Sequence, residues 1–188
     1  ARAIEDKWYR VRALVALAPR LTGKSRMRVL AQGLVAAKTI DDEESRARVL
    51  AMLAPQLSGE LLADGLTVTN AIGDEWSRVR ALEALAPQLT SGLLAEGLVA
   101  AQSIEDDLAR IRALAAMAPQ CAPEVQQVTY CHIRDALNTH LWNHFQKGPR
   151  GEVLSFSKEH RMIVPPVMDS RAVWEVARAV MDVGQWWP

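Results

Sequence analysis

A nineteen-residue segment occurs four times in this chain with small variations, and this repetition limits the fold more than any other feature. The copies read AIEDKWYRVRALVALAPRL, TIDDEESRARVLAMLAPQL, AIGDEWSRVRALEALAPQL and SIEDDLARIRALAAMAPQC. Successive copies are 36, 32 and 32 residues apart. A fixed period of this length, with two helical patterns in each unit, predicts stacked helical hairpins, that is, an all-α solenoid. The aligned positions are Ile4, Ile40, Ile72 and Ile104, followed by Pro19, Pro55, Pro87 and Pro119.

The third unit illustrates the predicted course of the first helix. This helix should begin after Asp74, whose carboxylate can accept backbone N–H bonds as the N-cap. It should end near Ala86, because Pro87 cannot continue the helix. Helical periodicity then predicts a single core face. The members of this face are Trp76, Val79, Leu82 and Ala86 in the third unit, and Trp8, Val11, Leu14 and Ala18 in the first.

The second helix of each unit carries a glycine near its middle, at Gly33, Gly65 and Gly97. A glycine inside a helix costs about 1 kcal/mol relative to alanine. Its recurrence therefore predicts close approach of a neighbouring helix or side chain. The four extra residues of the first unit fall in TGKSRMRVLAQGL, so we expect either a second helix longer by one turn or an expanded turn.

The order Asp74, Arg80, Ala81, Leu82 resembles the HEAT-repeat consensus, and the resemblance extends over about residues 1 to 120. It implies a right-handed α-solenoid in which an aspartate and an arginine six residues later form a ladder between units. A second arginine, four residues after each aspartate, can pair with it along the same helix. The ladder pairs are Asp6 with Arg12, Asp42 with Arg48, Asp74 with Arg80, and Asp106 with Arg112; the second arginines are Arg10, Arg46, Arg78 and Arg110.

Two regions follow from the repeat. Residues 1–122 form four HEAT-like units, the first truncated, and residues 123–188 form a degenerate repeat with a C-terminal helical cap. In the second region we expect helices in CHIRDALNTHLWNHF, from Pro149 onward, and up to Gly184. The opening residues ARAIED begin within a repeat and without Met, so we expect a fragment of a longer chain.

The sequence of the repeats and the terminal VGQWWP, from Val183 to Pro188, resemble the C-terminal region of bacterial STAND proteins. In those proteins a NACHT-type NTPase domain precedes such repeats. The resemblance implies the sensor or scaffold end of a larger signalling or defence ATPase. Its partner would be another protein or the upstream NTPase domain of the same chain. The sequence contains no Walker A motif or glycine-rich phosphate loop, so we expect no enzyme activity and no cofactor.

Composition gives little indication of a charged partner. The chain of 188 residues has 22 basic and 22 acidic side chains, so no overall field attracts nucleic acid or an anionic membrane. The two cysteines predict a reducing compartment, and no signal peptide or membrane span is found in the sequence, which together indicate the cytoplasm. The acidic runs DDEE and EDD lie at predicted helix starts, where negative charge favours the helix dipole.

Three sets of residues remain as candidate sites. His140 and His144, with His132, Cys131 and Cys121 upstream, could bind a zinc ion, although histidines packed under the C-terminal cap are the simpler interpretation. The arginine columns could bind phosphate in an alternative nucleic-acid-binding solenoid, but each arginine follows an aspartate, which favours a structural role. Partner binding is predicted at positions where the residue differs between units although the rest of the repeat is the same. These include Tyr9, Ser45, Ser77 and Ala109 in one column, and Val15, Ala51, Glu83 and Ala115 in another.

Overall fold

The structure is a computed structural model that describes residues 7–147, apart from the side chains of residues 91, 137–138 and 141–147. This part of the chain is all-helical, as predicted, with eight α-helices and no β-strand. The helices are α1 (Lys7–Leu17), α2 (Gly23–Lys38), α3 (Glu43–Leu53), α4 (Glu60–Asn70), α5 (Glu75–Leu85), α6 (Ser91–Gln102), α7 (Asp107–Met117) and α8 (Pro123–Lys147).

The helices pack in two series. The first helices of successive units contact one another in chain order, α1 with α3, α3 with α5, and α5 with α7. The second helices do the same, α2 with α4 and α4 with α6, and α8 packs against α7. Fully buried side chains fill the space between the two series, among them Leu50, Leu53, Leu66, Leu82, Leu85, Leu114 and Met117.

The first helices α3, α5 and α7 start after the predicted N-cap aspartates, and all four first helices end beside the Ala-Pro pair, as the repeat predicts. In the third unit, α5 begins after the N-cap Asp74 and ends at Leu85, one residue before the predicted end. Pro87 then lies inside a single 3-10 turn, Ala86–Gln88, rather than after a sharp break. The same Ala-Pro turn follows α1, α3 and α7, at Ala18–Arg20, Ala54–Gln56 and Ala118–Gln120.

The recurring glycines are sites of close approach, as predicted. A Cβ at Gly65 would lie 2.8 Å from Leu57 Cδ1, and one at Gly97 would lie 2.9 Å from Leu89 Cδ1. A Cβ at Gly33 would lie 3.1 Å from a side-chain carbon of Leu53. The contacting groups are therefore buried leucines, which use the space that the missing Cβ leaves.

The prediction that Trp76 belongs to the core is wrong. Its side chain is 44% exposed, whereas Val79, Leu82 and Ala86 on the same predicted face are buried. Trp76 is the second residue of α5, and the equivalent Glu44 in α3 is also exposed. The charge of Glu44 already disfavours burial of this column. Trp76 and Glu44 therefore lie at the surface, whereas Trp8 and Leu108, at the equivalent positions of the first and fourth units, are half-buried and pack against the core.

The second and last described helices depart from the average unit. α2 has 16 residues against 11 in α4 and 12 in α6, so the four extra residues of the first unit lengthen the helix by about one turn. The helix predicted in CHIRDALNTHLWNHF is longer than expected, because α8 starts at Pro123 rather than near Cys131. The helices predicted from Pro149 and up to Gly184 lie outside the described residues. Among the described helices, none is long and apolar enough to cross a membrane.

Candidate binding groove

The ladder aspartates act as helix N-caps. Asp42 accepts a hydrogen bond from the amide of Ser45 at 2.8 Å, and Asp74 accepts one from the amide of Ser77 at 2.7 Å. Asp106 accepts from the amide of Ala109 at 2.8 Å, and Asp6 lies outside the described residues. Hydrogen bonds from the Ser45 hydroxyl and amide lower the pKa of Asp42, and those from Ser77 lower the pKa of Asp74.

The ladder arginines pair with glutamates. Glu44 Oε1 lies 2.6 Å from Arg48 in its own helix and 3.3 Å from Arg80 in the next unit. Arg112 binds both carboxylate oxygens of Glu83 in the preceding unit, at 2.9 and 3.1 Å. Within residues 7–147, the structure thus links successive units through Glu–Arg pairs and does not bring the ladder aspartates into ion pairs with Arg48, Arg80 and Arg112. Arg12 lies over the ring of Trp8, 5.3 Å from its centroid.

The second arginines close the turn between units. Arg46 donates two hydrogen bonds, at 2.9 and 2.7 Å, to the carbonyl oxygen of Ile40, which follows α2. Arg110 donates to the equivalent carbonyl of Ile104 at 2.7 Å and also pairs with Asp107. Arg78 lies 3.6 Å from Glu75. These arginines therefore hold backbone and side-chain groups three to six residues earlier rather than the predicted aspartates four residues earlier.

A contact that the sequence reasoning missed joins the second unit to the third and the third unit to the fourth. The Glu43 carboxylate accepts hydrogen bonds from the backbone amides of Gly73 at 2.9 Å and Asp74 at 2.6 Å. These two bonds lower the pKa of Glu43. Glu75 repeats the arrangement one unit later, with the amides of residues 105 and 106 at 2.7 and 2.9 Å. An acidic residue directly after the capping aspartate was the available signal.

The first junction uses the opposite charge. Lys7 occupies the position equivalent to Glu43, and its ammonium group donates to the carbonyl of Thr39 and lies 3.2 Å from Asp41. A cation can bind a carbonyl where an anion binds amides. The first junction is therefore specified by different atoms from the two that follow it.

A groove of about 580 Å³ lies across the first helices of the second, third and fourth units. We call it the Trp76 groove, after its large exposed aromatic side chain. One face of this ring carries the guanidinium of Arg112, whose Cζ lies 5.6 Å from the ring centroid. Six carboxylates and two guanidinium groups line the groove, so its charge is negative. The lining residues are Asp41, Asp42, Glu43, Glu44, Asp74, Trp76, Ser77, Val79, Arg80, Glu83 and Arg112.

The predicted partner-binding residues do not form one exposed set. Tyr9 is 56% exposed and stacks edge-on against Trp8, at a centroid distance of 4.9 Å. Ser45 is half-buried, and Ser77 is only 6% exposed, so Ser77 offers little surface to a partner. Glu83 is half-buried and holds Arg112 at the wall of the Trp76 groove.

The metal candidates are dispersed. His140 is half-buried, and the side chain of His144 lies outside the described residues. The thiol of Cys121 lies 3.5 Å from the carbonyl oxygen of Met117, and the thiol of Cys131 is free of any disulfide. Over the described part of the chain, no three histidine, cysteine or acidic side chains are placed to hold a metal ion.

The comparisons with known proteins do not identify a family for this chain. None of the protein-family models, curated proteins or solved structures that were searched matches it.

Proposed function

We propose that this chain is a non-catalytic protein-interaction module, and that its recognition surface is the Trp76 groove. The module is a right-handed α-solenoid of HEAT-like hairpins. The observation that carries the proposal is the exposure of Trp76, 44% of whose side chain faces solvent inside a concave surface. Tryptophan, with tyrosine and arginine, is enriched among the residues that contribute most of the binding free energy at protein interfaces, especially in pockets.

The surroundings of Trp76 support a recognition role. The Glu83 carboxylate holds Arg112 with two hydrogen bonds, and Arg112 in turn covers one face of the indole. A ring fixed in this way loses little conformational freedom when a partner binds, so less of the binding free energy is spent on ordering it. The groove is therefore organised before a ligand arrives.

A protein partner fits the groove better than the alternative, a nucleic acid. Arg80 and Arg112 each pair with a glutamate, and the remaining lining charge is negative. Nucleic-acid binding depends on cations that neutralise phosphates. The arginine columns that suggested phosphate binding are therefore already occupied by protein groups.

We further propose that this module is the sensor or scaffold end of a larger cytoplasmic STAND-type protein of bacteria. The repeat wording and the VGQWWP segment support this proposal. Partner binding would then change the contact between the repeats and an NTPase domain encoded upstream. The nucleotide sequence of the whole gene tests it: an upstream Walker A motif supports the proposal, and an open reading frame without one contradicts it.

The recognition role can be tested with a displayed library of short random peptides. We expect immobilised wild-type protein to enrich peptides that bind Trp76→Ala about thirtyfold more weakly, the loss typical of an interface anchor. Val99→Ala is the matched control, because Val99 is also exposed but lies on α6, in the other series of helices. Peptides that bind Trp76→Ala as well as wild type would contradict the proposal, and a loss confined to Val99→Ala would move the surface to the second helices.

A further inference from the structure

We infer that the Trp76 groove takes a basic segment of the partner protein, with an arginine or lysine at the carboxylates of Asp41 and Glu44 beside the start of α3 and a second one on the Trp76 ring. This inference rests on the proposed function, and it adds the chemistry of the partner. It follows from the charge of the groove, from the hydrogen bonds that its carboxylates already make, and from the spacing of the units.

The lining carboxylates fall into two groups. Asp42, Glu43 and Asp74 are occupied by backbone amides, so they add negative charge but have little capacity for a new partner. Asp41, Glu44 and Glu83 make only side-chain ion pairs, and both oxygens of Glu83 are already held by Arg112. The Asp41 side chain is fully exposed, and its ion-pair partner is Lys7. A ligand cation would therefore bind at Asp41 and Glu44.

The ion pairs of Glu44 do not prevent such binding. The side chains of Arg48 and Arg80, which share this carboxylate, are both about half exposed. Exposed pairs of this kind are weak, so a second guanidinium can replace either one at little cost. A carboxylate also has enough acceptor sites for more than one donor. Glu44 can thus accept a cation from the partner without disturbing the fold.

The Trp76 ring already binds a guanidinium, since Arg112 lies over one face. The exposed part of the same ring offers a surface for the aliphatic stem and cationic end of a second arginine or lysine. The surrounding carboxylates favour a cation over a neutral side chain. The indole therefore provides the apolar contact, and the acidic lining selects a positively charged side chain.

The unit spacing suggests how the two cations are separated along the partner. Glu44 and Trp76 are equivalent residues of α3 and α5, which pack against each other. Packed helices are about 8–10 Å apart. A polyproline II segment advances about 9 Å in three residues and returns to the same side after each turn. The cationic side chains should therefore be three residues apart.

The test uses a peptide with the core Arg-Pro-Pro-Arg, which holds this spacing. NMR titration should shift the indole N–H signal of Trp76, assigned with Trp76→Phe, in proportion to bound peptide. A peptide with the core Arg-Arg-Pro-Pro has the same composition and should bind several-fold more weakly. The Glu-Pro-Pro-Glu peptide should not shift the signal. Raising NaCl from about 0.1 M to about 1 M shortens the Debye length from about 10 Å to about 3 Å and should abolish binding.

Charge-neutralising variants separate a local effect from overall charge. Glu44→Gln should weaken binding of Arg-Pro-Pro-Arg about two- to fivefold, the range of an exposed ion pair. Glu96→Gln removes the same charge from an exposed position on α6 and should leave binding unchanged. Equal losses in the two variants, or equal binding of the acidic peptide, would overturn the inference.

The peptide library distinguishes this inference from the proposed function. Enriched peptides that need Trp76 but lack arginine and lysine would leave the recognition role standing and overturn the basic partner. Enriched peptides that are rich in both residues and need Trp76 and Glu44 would support both. A library that yields no Trp76-dependent peptide, together with an unmoved indole signal, would overturn both.

Discussion

The Glu43 carboxylate lies 2.6 Å from the backbone amide of Asp74, although the two residues belong to successive units. Asp74 in turn caps α5 through the amide of Ser77. One unit therefore fixes the amide of the residue that starts the next first helix. The same sequence of contacts runs from Glu75 to Asp106 and on to Ala109.

Removing one of these links should destabilise the array. We expect Glu75→Ala to lower the free energy of unfolding by about 1–3 kcal/mol, because two backbone amides lose a charged acceptor. Urea denaturation monitored by circular dichroism measures the change. Glu96→Ala, an exposed position on α6, is the control and should stay within about 0.5 kcal/mol of wild type. Equal stabilities of the two variants would show that the link contributes nothing.

Acid should weaken the same junctions. Glu43 has a pKa below its usual 4.5 in the folded protein, since amides of Gly73 and Asp74 stabilise the carboxylate. A lowered folded pKa means that the unfolded chain binds the proton more readily, so this stabilisation is complete above pH 4.5 and is lost as the pH falls through the lower folded pKa. The pKa values of Asp42 and Asp74 are likewise lowered from their usual 3.8, so their contributions to stability are also lost as the pH falls below that value.

The acid effect of Glu43 can be isolated with Glu43→Gln, which cannot titrate. Unfolding free energies measured from neutral pH down to about pH 3 should fall less steeply in this variant than in wild type. Parallel curves would mean that the Glu43 carboxylate has the same proton affinity in the folded and unfolded states.

Replacing a glycine by alanine should change stability in opposite directions at two positions. Gly65→Ala should destabilise the protein by up to about 2 kcal/mol, because its Cβ would meet buried Leu57 at 2.8 Å and repacking costs more than the gain in helix propensity. Gly92→Ala should instead stabilise it by about 0.4–1 kcal/mol. Apart from its chain neighbours and the backbone of its own helix, no described residue has an atom within 4 Å of a Cβ at position 92. Thermal unfolding of both variants decides the matter, and a stabilising Gly65→Ala would contradict the close approach.

The two arginine columns should respond differently to a change that keeps the charge. Arg46→Lys loses the two-pronged hydrogen bond to the carbonyl of Ile40 and should cost about 1–2 kcal/mol of stability. Arg48→Lys affects only an exposed pair with Glu44 and should cost less than about 0.5 kcal/mol. Chemical denaturation of the pair of variants provides the comparison, and a larger loss for Arg48→Lys would reverse the assignment.

Trp76 should matter little for stability. Because its side chain is 44% exposed, Trp76→Ala should cost about 1 kcal/mol or less, mainly through the lost contact with Arg112. Leu82→Ala, a fully buried position in the same helix, should cost about 2–5 kcal/mol. Equal losses of unfolding free energy in the two variants, measured by urea denaturation, would show that Trp76 is a core residue.

Residues that act within their own unit could be predicted from the sequence. Asp74 was identified as an N-cap and Gly65 as a site of close approach, and the structure confirms both. The end of α5 was predicted to within one residue because proline limits the backbone wherever it occurs.

Contacts between units were harder to predict. The bonds of Glu43 go to backbone amides, and a donor of this kind is present at every residue except proline, so the sequence does not mark it. Trp76 was placed in the core because its hydrophobicity and its position on the helical wheel agree with burial. Its place in the first turn, beyond the edge of the core, depends on how far the neighbouring helix extends, which the pattern of a single unit does not contain.

The use of backbone amides at the junctions has a consequence for how such a chain can grow. Glu43 and Glu75 recognise the main chain of the following unit, where the side chains differ: glycine at 73 and glutamate at 105. Hydrogen bonds of this kind do not depend on which side chain the amide-bearing residue carries. A tandem duplication of the second or third unit would therefore preserve these hydrogen bonds at the new junction, whatever side chains follow.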